Sequence, residues 1–485
     1  MNIVEPILFQ CKLNPMTTAI CVPGSKVNAV RYGMLETFIH NVARNALKAG
    51  IVPGNIVATY FTDTILDTAC ALGLMHVGAA TVSLRGPRSV PGISPDCTLT
   101  DVAGAFPGAA SVLSVDQSWL EGPGAAMPVA AGGRGDDICR IILTSGSTGI
   151  SKGVAFSHWI CAARNAHYMY SKGPRPAHCA RFFCDLGFST SPGFSYAMSL
   201  LSRGAAIFFL GPDPADILQA IDLYEIQGMA TSPYGLGEFL KFFEGDSAFE
   251  TSFDHIICQG AMLSRQLSQR VRTRMCQNLY SSYGSTETST VAFGPASVLE
   301  GVPGAVGFVQ PGVTIEAVDP VGNVLPPLRD GVLRIRTGHM ANGYVGDLEA
   351  TQTVFRNGYF YSGDVGHLTA EGILVITGRE KTALNIGGDT VSPEFVEEVV
   401  ESFSGIREAA VFAANNDLGI AELTLLIVPS SPIDETALRR YCGQRLPPSC
   451  IPTQILQVNA LPRGGQGKLE RQRLPEIAAT IAKAP

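Results

Sequence analysis

Three features predict an α/β protein in two parts. Short apolar strands alternate with helical segments from residue 138 to about residue 280, strand-and-turn patterning takes over past residue 315, and a last stretch carries both kinds of element in the roughly 100 residues a small domain needs. The expected architecture is a large N-terminal domain, residues 1–380, with βα-layered sheets and a β-rich subdomain, followed by a small α+β C-terminal domain, residues 381–485. The length of 485 residues is ample for both cores.

In chain order, residues 138–143 read as a strand, a Ser/Thr/Gly loop follows, and 159–170 read as a helix. Residues 205–210 form the next apolar strand, with a helix at 215–226, a strand at 255–258, a helix at 265–275 and a strand at 278–280. Such alternation implies a largely parallel sheet covered on both faces, with ligands at the carboxyl ends of its strands. Strands at 331–336 and 372–376 mark the β-rich part. The small domain then runs through a helix at 393–403, strands at 408–413 and 423–428, a helix at 436–445 and a Gly-rich tail. Residues 86–135 are rich in Gly, Pro and Ala and support no assignment.

Composition narrows the function classes. Hydrophobic residues make up 46% and charged residues 16%, which excludes a disordered chain or a coiled coil. Lys and Arg number 35 against 42 Asp and Glu, a net charge of −7 with no basic block, so no nucleic-acid partner is expected. No apolar run approaches the roughly 18 residues of a membrane span, and no signal peptide stands at the N-terminus. Twelve cysteines without a C-x-x-C pair point to reduced thiols and a cytoplasmic protein.

The chemistry is densest directly after the first strand, at Thr144, Ser145, Gly146, Ser147, Thr148, Gly149, Ile150, Ser151, Lys152 and Gly153. Glycines let backbone amides close around an anion, hydroxyls add donors and Lys152 adds charge, so the segment reads as a phosphate-binding loop. It is not a Walker loop, because Lys152 stands between Ser151 and Gly153 rather than between a glycine and a hydroxyl residue.

The segment resembles the phosphate loop of the adenylate-forming superfamily, the AMP-dependent synthetases and ligases that include acyl-CoA synthetases, adenylation domains and luciferases. Only Ser151, where the family has proline, departs from it. Further motifs follow in order. Gly260-Ala261 resembles the small-residue turn beside adenine, and Tyr283-Gly284-Ser285-Thr286-Glu287 resembles Y-G-x-T-E. The resemblance implies that Tyr283 stacks on adenine, Thr286 contacts the α-phosphate and Glu287 holds Mg²⁺. A carboxylate beside a triphosphate is tolerable chiefly when a hard cation lies between them.

Tyr361-Ser362-Gly363-Asp364 and Gly378-Arg379 resemble the motifs that assign Asp364 and Arg379 to the ribose. Lys381 falls at the family's hinge, about which the small domain rotates. Gly387 and Gly388 fall where the family lines a thiol tunnel, and Lys468 ends a P-R-x-x-x-G-K tail motif, implying contact with the carboxylate and α-phosphate. Phe188, Thr190 and Ser191 stand at the acyl pocket by the same resemblance. No Asp is there to pair with an α-ammonium, which argues against an amino-acid substrate. Val332 and Asn385 depart from the family pattern, the latter against luciferase chemistry.

The function implied is ATP-dependent activation of a small carboxylic acid to an acyl-adenylate, with release of pyrophosphate, then transfer to a thiol. ATP and Mg²⁺ are the cofactors, and coenzyme A is the expected acceptor. The alternative acceptor is the phosphopantetheine of an acyl carrier protein. A distant alternative is a serine hydrolase, because Gly193-Phe194-Ser195-Tyr196-Ala197 approximates G-x-S-x-G.

Overall fold

The computed structural model describes the chain apart from residues 26, 85, 87–89, 107–110, 123–132, 145–150, 244–250, 381–383, 387–388, 416–420, 465–466 and 483–485. Two sheets build the large part. In the centre of the fourteen-stranded sheet, Ala206–Phe209, Arg181–Cys184, Gly228–Thr231, His255–Gln259 and Leu279–Ser285 run parallel. Strand alternation sends Phe182 and Phe183 to opposite faces. Phe182 stacks on Tyr196 of the helix Ser191–Leu201, while Phe183 meets Phe239 of the helix Pro233–Phe243. Both faces are therefore covered, and the strands are continuous apolar runs, as expected for buried parallel sheet.

The single parallel sheet expected from the alternation is two sheets. Ile138–Leu143 belongs to a six-stranded sheet with Ile56–Tyr60 and Ala80–Ser83, and Gly153–Ser157 folds back antiparallel to it. The helix Thr64–Val77 packs against this sheet and is buried from Ile65 onward on nearly every side, so it shows no amphipathic period to read. The β-rich part is no separate sheet either. Ser289–Pro295, Ala305–Val309, Ile373–Arg379, Tyr359–Leu368, Gly331–Thr337 and Val313–Val318 extend the fourteen-stranded sheet in antiparallel fashion.

Past residue 390 a three-stranded sheet, Ile406–Asn415, Ala421–Pro429 and Gln454–Gln457, carries the helices Pro393–Glu401, Glu435–Gly443 and Leu474–Ala482. Arg471 ties this unit together, with Nη1 2.6 Å from Glu397 and Nη2 3.2 Å from Glu394. Among the described residues no helix is long and apolar enough to cross a membrane.

Candidate active site

The phosphate-loop residues Ser145, Gly146, Ser147, Thr148 and Gly149 lie outside the described residues, but both ends of the loop are placed. The Thr144 amide donates to the Lys152 carbonyl at 2.9 Å, which closes the segment as a hairpin between Ile138–Leu143 and Gly153–Ser157. A Cβ at Gly153 would stand 2.5 Å from Ile93 Cδ1, so the loop exit needs a glycine for space. Lys152 Nζ lies 3.8 Å from Asp347 and 5.0 Å above the ring of Tyr344.

Tyr344 carries the contact onward, its hydroxyl donating to Glu287 Oε1 at 2.8 Å. Glu287 is buried at the turn between Leu279–Ser285 and Ser289–Pro295, where Ser289 takes a φ of 63° and so bears left-handed backbone. Buried Arg164 fixes that turn from behind. Its Nη2 donates to the carbonyls of Thr286 at 3.1 Å and Glu287 at 3.0 Å, and its Nε donates to the His339 carbonyl at 3.1 Å. One carboxylate beside a phosphate-loop lysine fits Mg²⁺, which is held by one or two carboxylates together with substrate phosphates. Among the described residues no group of three or more His, Cys, Asp or Glu side chains is placed to hold a metal.

The second group lies along the same sheet. Asp364 and Arg379 are register partners on neighbouring antiparallel strands, and Arg379 Nε donates to Asp364 Oδ1 at 2.7 Å. The other oxygen accepts from the hydroxyl of Tyr283. Desolvation and the adjoining carboxylate push the Tyr283 phenol up, so it stays a donor. Gly260, φ 93°, and Ala261 are exposed at the carboxyl end of His255–Gln259, on the strand next to that of Tyr283.

The tail loop of the small unit is seated against the large one. Gly464 N donates to the Lys468 carbonyl at 2.9 Å, Arg463 lies 5.5 Å from the ring centre of Tyr234, and Gly467, φ 70°, passes so close that a Cβ would stand 2.5 Å from Tyr234 Cγ. Lys468 is exposed on this loop. Lys381, Gly387 and Gly388 lie outside the described residues.

The expected acyl-pocket residues have structural partners. Phe188 is buried against Phe194 and Phe209, with the Arg140 guanidinium 5.1 Å from its ring centre. Thr190 caps the helix Ser191–Leu201 by accepting from the Gly193 amide at 3.0 Å, and Ser191 is buried in its first turn. Ser195 lies inside that helix rather than on a strand-to-helix elbow, which removes the hydrolase alternative. Arg164, Tyr344, Asp347, His339 and Tyr234 escaped the sequence reading. Gly343-Tyr344, a short step after Gly331–Thr337, is the one local signal that could have pointed to any of them.

Comparisons agree with this arrangement. The family model of the AMP-binding enzymes matches residues 98–345, and that of the AMP-binding enzyme C-terminal domain matches residues 395–468. A feruloyl-CoA synthase of Amycolatopsis sp. is 26% identical over 487 residues, covering 95% of this chain and 96% of that protein. A 3-hydroxybenzoate–CoA ligase of Aromatoleum sp. (strain CIB) is 27% identical over 484 residues, covering 93% and 92%. Among solved structures, the o-succinylbenzoate CoA synthetase of Bacillus subtilis with its acyl-adenylate superposes with a TM-score of 0.85 at 20% identity, covering 97% of each chain. ATP-bound MatB of Rhodopseudomonas palustris gives 0.85 at 22% identity over 100% of each. With both family models matched in order, the first spanning Lys152 and Glu287 and the second ending at Lys468, the chain belongs to the AMP-binding enzymes of the adenylate-forming superfamily.

Proposed function

We propose that this enzyme is an AMP-forming acid–thiol ligase that activates a small carboxylic acid with ATP and transfers the acyl group to coenzyme A. The observation that carries the reading is the pair of polar groups Lys152–Tyr344–Glu287 and Tyr283–Asp364–Arg379, brought together by the strand Leu279–Ser285, which holds Tyr283, and by the turn after it, which holds Glu287, within a chain matched almost end to end by CoA ligases. Their names favour coenzyme A over a carrier protein as the acceptor.

In this reading Asp364 and Arg379 hold the ribose, and Tyr283, fixed by its hydroxyl, offers its ring face to adenine. Asp364 would exchange its present partners for the sugar hydroxyls. The loop from Thr144 to Lys152 and the Thr286 hydroxyl take the phosphates, and Glu287 holds Mg²⁺, which when bound neutralises charge on the leaving pyrophosphate. The substrate carboxylate attacks the α-phosphorus and pyrophosphate departs. Lys468, brought in on the docked tail loop, meets the negative charge shared by carboxylate and α-phosphate. Transfer then needs the lysine withdrawn: the small domain turns at Lys381, and Gly387 and Gly388 leave room for the thiol arm.

The test is ATP-dependent pyrophosphate release across a panel of carboxylic acids, with and without coenzyme A. Release that needs an acid, and an acyl-CoA formed only when coenzyme A is present, are the expected results. Hydrolysis of ATP with no dependence on any acid would refute the reading.

A further inference from the structure

Lys172 is the one buried lysine among the described residues, and no carboxylate among them comes into ion-pair range of it. It caps the C-terminus of the helix His158–Ser171. Its Nζ donates to the Tyr196 hydroxyl at 3.3 Å and lies 4.6, 5.0 and 5.6 Å from the ring centres of Tyr168, Tyr196 and Phe293. Ring faces offset part of the cost of burying an ammonium and leave the rest uncompensated. Burial alone drives its pKa down to about 7.

Its position follows from the helix that carries it. Arg164 on that helix holds the Thr286 and Glu287 carbonyls, and His167, one turn further, packs its ring against that of His339, tilted and with ring centres 4.4 Å apart, and meets the Thr290 backbone. Lys172 then meets Phe293 on the same strand. The helix and the strand Ser289–Pro295 thus run together from the Glu287 turn to the lysine, eight residues of helix or roughly 12 Å from Arg164. From the other side, the Tyr196 hydroxyl meets Gln259, whose buried Nε2 has no partner and whose chain runs directly into Gly260 and Ala261. An ammonium, a phenol hydroxyl and an unpartnered amide N–H gather around Tyr196, with Gln259 at the carboxyl end of its strand, the side on which open α/β sheets take ligands. Such a set of donors calls for an anion.

We infer that Lys172, with the Tyr196 hydroxyl and the Gln259 amide, closes the far end of the acyl pocket and binds a second anionic group of the substrate. The acid activated is then a dianion, a dicarboxylate in the simplest case. This assignment rests on the adenylation reading above and adds the substrate class to it.

The test compares the three benzenedicarboxylates and the aliphatic dicarboxylates from four to eight carbons with their monomethyl esters, scored by ATP-dependent pyrophosphate release. Wild-type enzyme should favour at least one diacid over its monoester by 30-fold or more in kcat/KM. Lys172→Met should erase that preference through KM, leaving the monoester within about threefold. Tyr196→Phe, which keeps the ring, should weaken the preference in the same direction if Lys172→Met does not fold. Monoacids and monoesters used as well as the diacids, or a preference that survives in folded Lys172→Met, would overturn the dianion assignment while adenylation stands. No release with any acid overturns the adenylation reading, and this assignment with it.

Discussion

Glu287 is held at both ends, its backbone carbonyl by Arg164 and by the Ala341 amide at 2.7 Å, and its carboxylate by the Tyr344 hydroxyl. The carboxylate therefore points in one direction before any ligand arrives. Glu287→Gln keeps the shape and removes the charge, so the Mg²⁺ concentration for half-maximal pyrophosphate release should rise steeply while the fold stays intact; an unchanged magnesium titration would take Glu287 out of the site. Tyr344→Phe removes only the orienting hydroxyl, and should weaken Mg²⁺ affinity by the roughly 10- to 100-fold typical of losing a ligand's own partner, seen as a raised half-maximal Mg²⁺ concentration. Arg164→Met leaves the Thr286 and His339 carbonyls without this donor and the Glu287 carbonyl with the Ala341 amide alone, and should cost about 3 kcal/mol, read as a lowered urea midpoint. Glu287 was legible from its motif. Arg164 and Tyr344 were not, because their contacts reach across 122 and 57 residues and leave no local pattern.

At the scale of elements, the tail loop is the part most exposed to test. Gly467 sits at φ 70° against the Tyr234 ring, so Gly467→Ala combines backbone strain with a clash and should undock the loop. We expect it to slow adenylation while sparing thioester formation from supplied acyl-adenylate. Lys468→Ala should do the same more severely, by roughly 10²- to 10³-fold, the scale for losing one preorganised donor. A bulky residue at Gly388, or Lys381→Pro, should produce the reverse pattern, with pyrophosphate exchange kept and thioester formation lost. Each variant is to be assayed for the two half-reactions separately. Equal loss of both in every folded variant would discard the rotating small domain.

For the molecule as a whole, buried histidines set a pH limit. His158 is 1% exposed and its Nδ1 accepts from the Ile3 amide at 3.1 Å, so the ring must be neutral. Burial lowers it to about 4, lowers His255 to about 4 and, with His167 and Arg164 adding repulsion, lowers His339 to about 3. Depressed histidines are charged first in the unfolded chain, so their stability is fully present above pH 6.5 and is lost as pH falls toward 4. Each contributes up to roughly 3 kcal/mol of that loss. Urea midpoints at pH 7.0, 5.5 and 4.5 should fall steadily, and His158→Gln, which keeps an acceptor for Ile3, should flatten the curve. A midpoint independent of pH over that range would show the histidines to be unimportant.

The sequence by itself determined the βα alternation, the order of the ATP-site motifs and the family they resemble, because these depend on residues a few positions apart: Tyr283 to Glu287 on one turn, Tyr361 to Asp364 on one strand. Tertiary structure decided what distance along the chain conceals. It placed Ile138–Leu143 and Ala206–Phe209 in different sheets, which share the same apolar strand pattern and differ only in partner. Register put Arg379 opposite Asp364, and folding brought Arg164 and Tyr344 onto Glu287. Lys172 shows the limit most clearly: a lysine in sequence is ordinarily a solvated charge, and only the closure of Tyr168, Tyr196 and Phe293 around it, from one neighbouring turn and two distant elements, makes it a buried lysine with no acid beside it among the described residues.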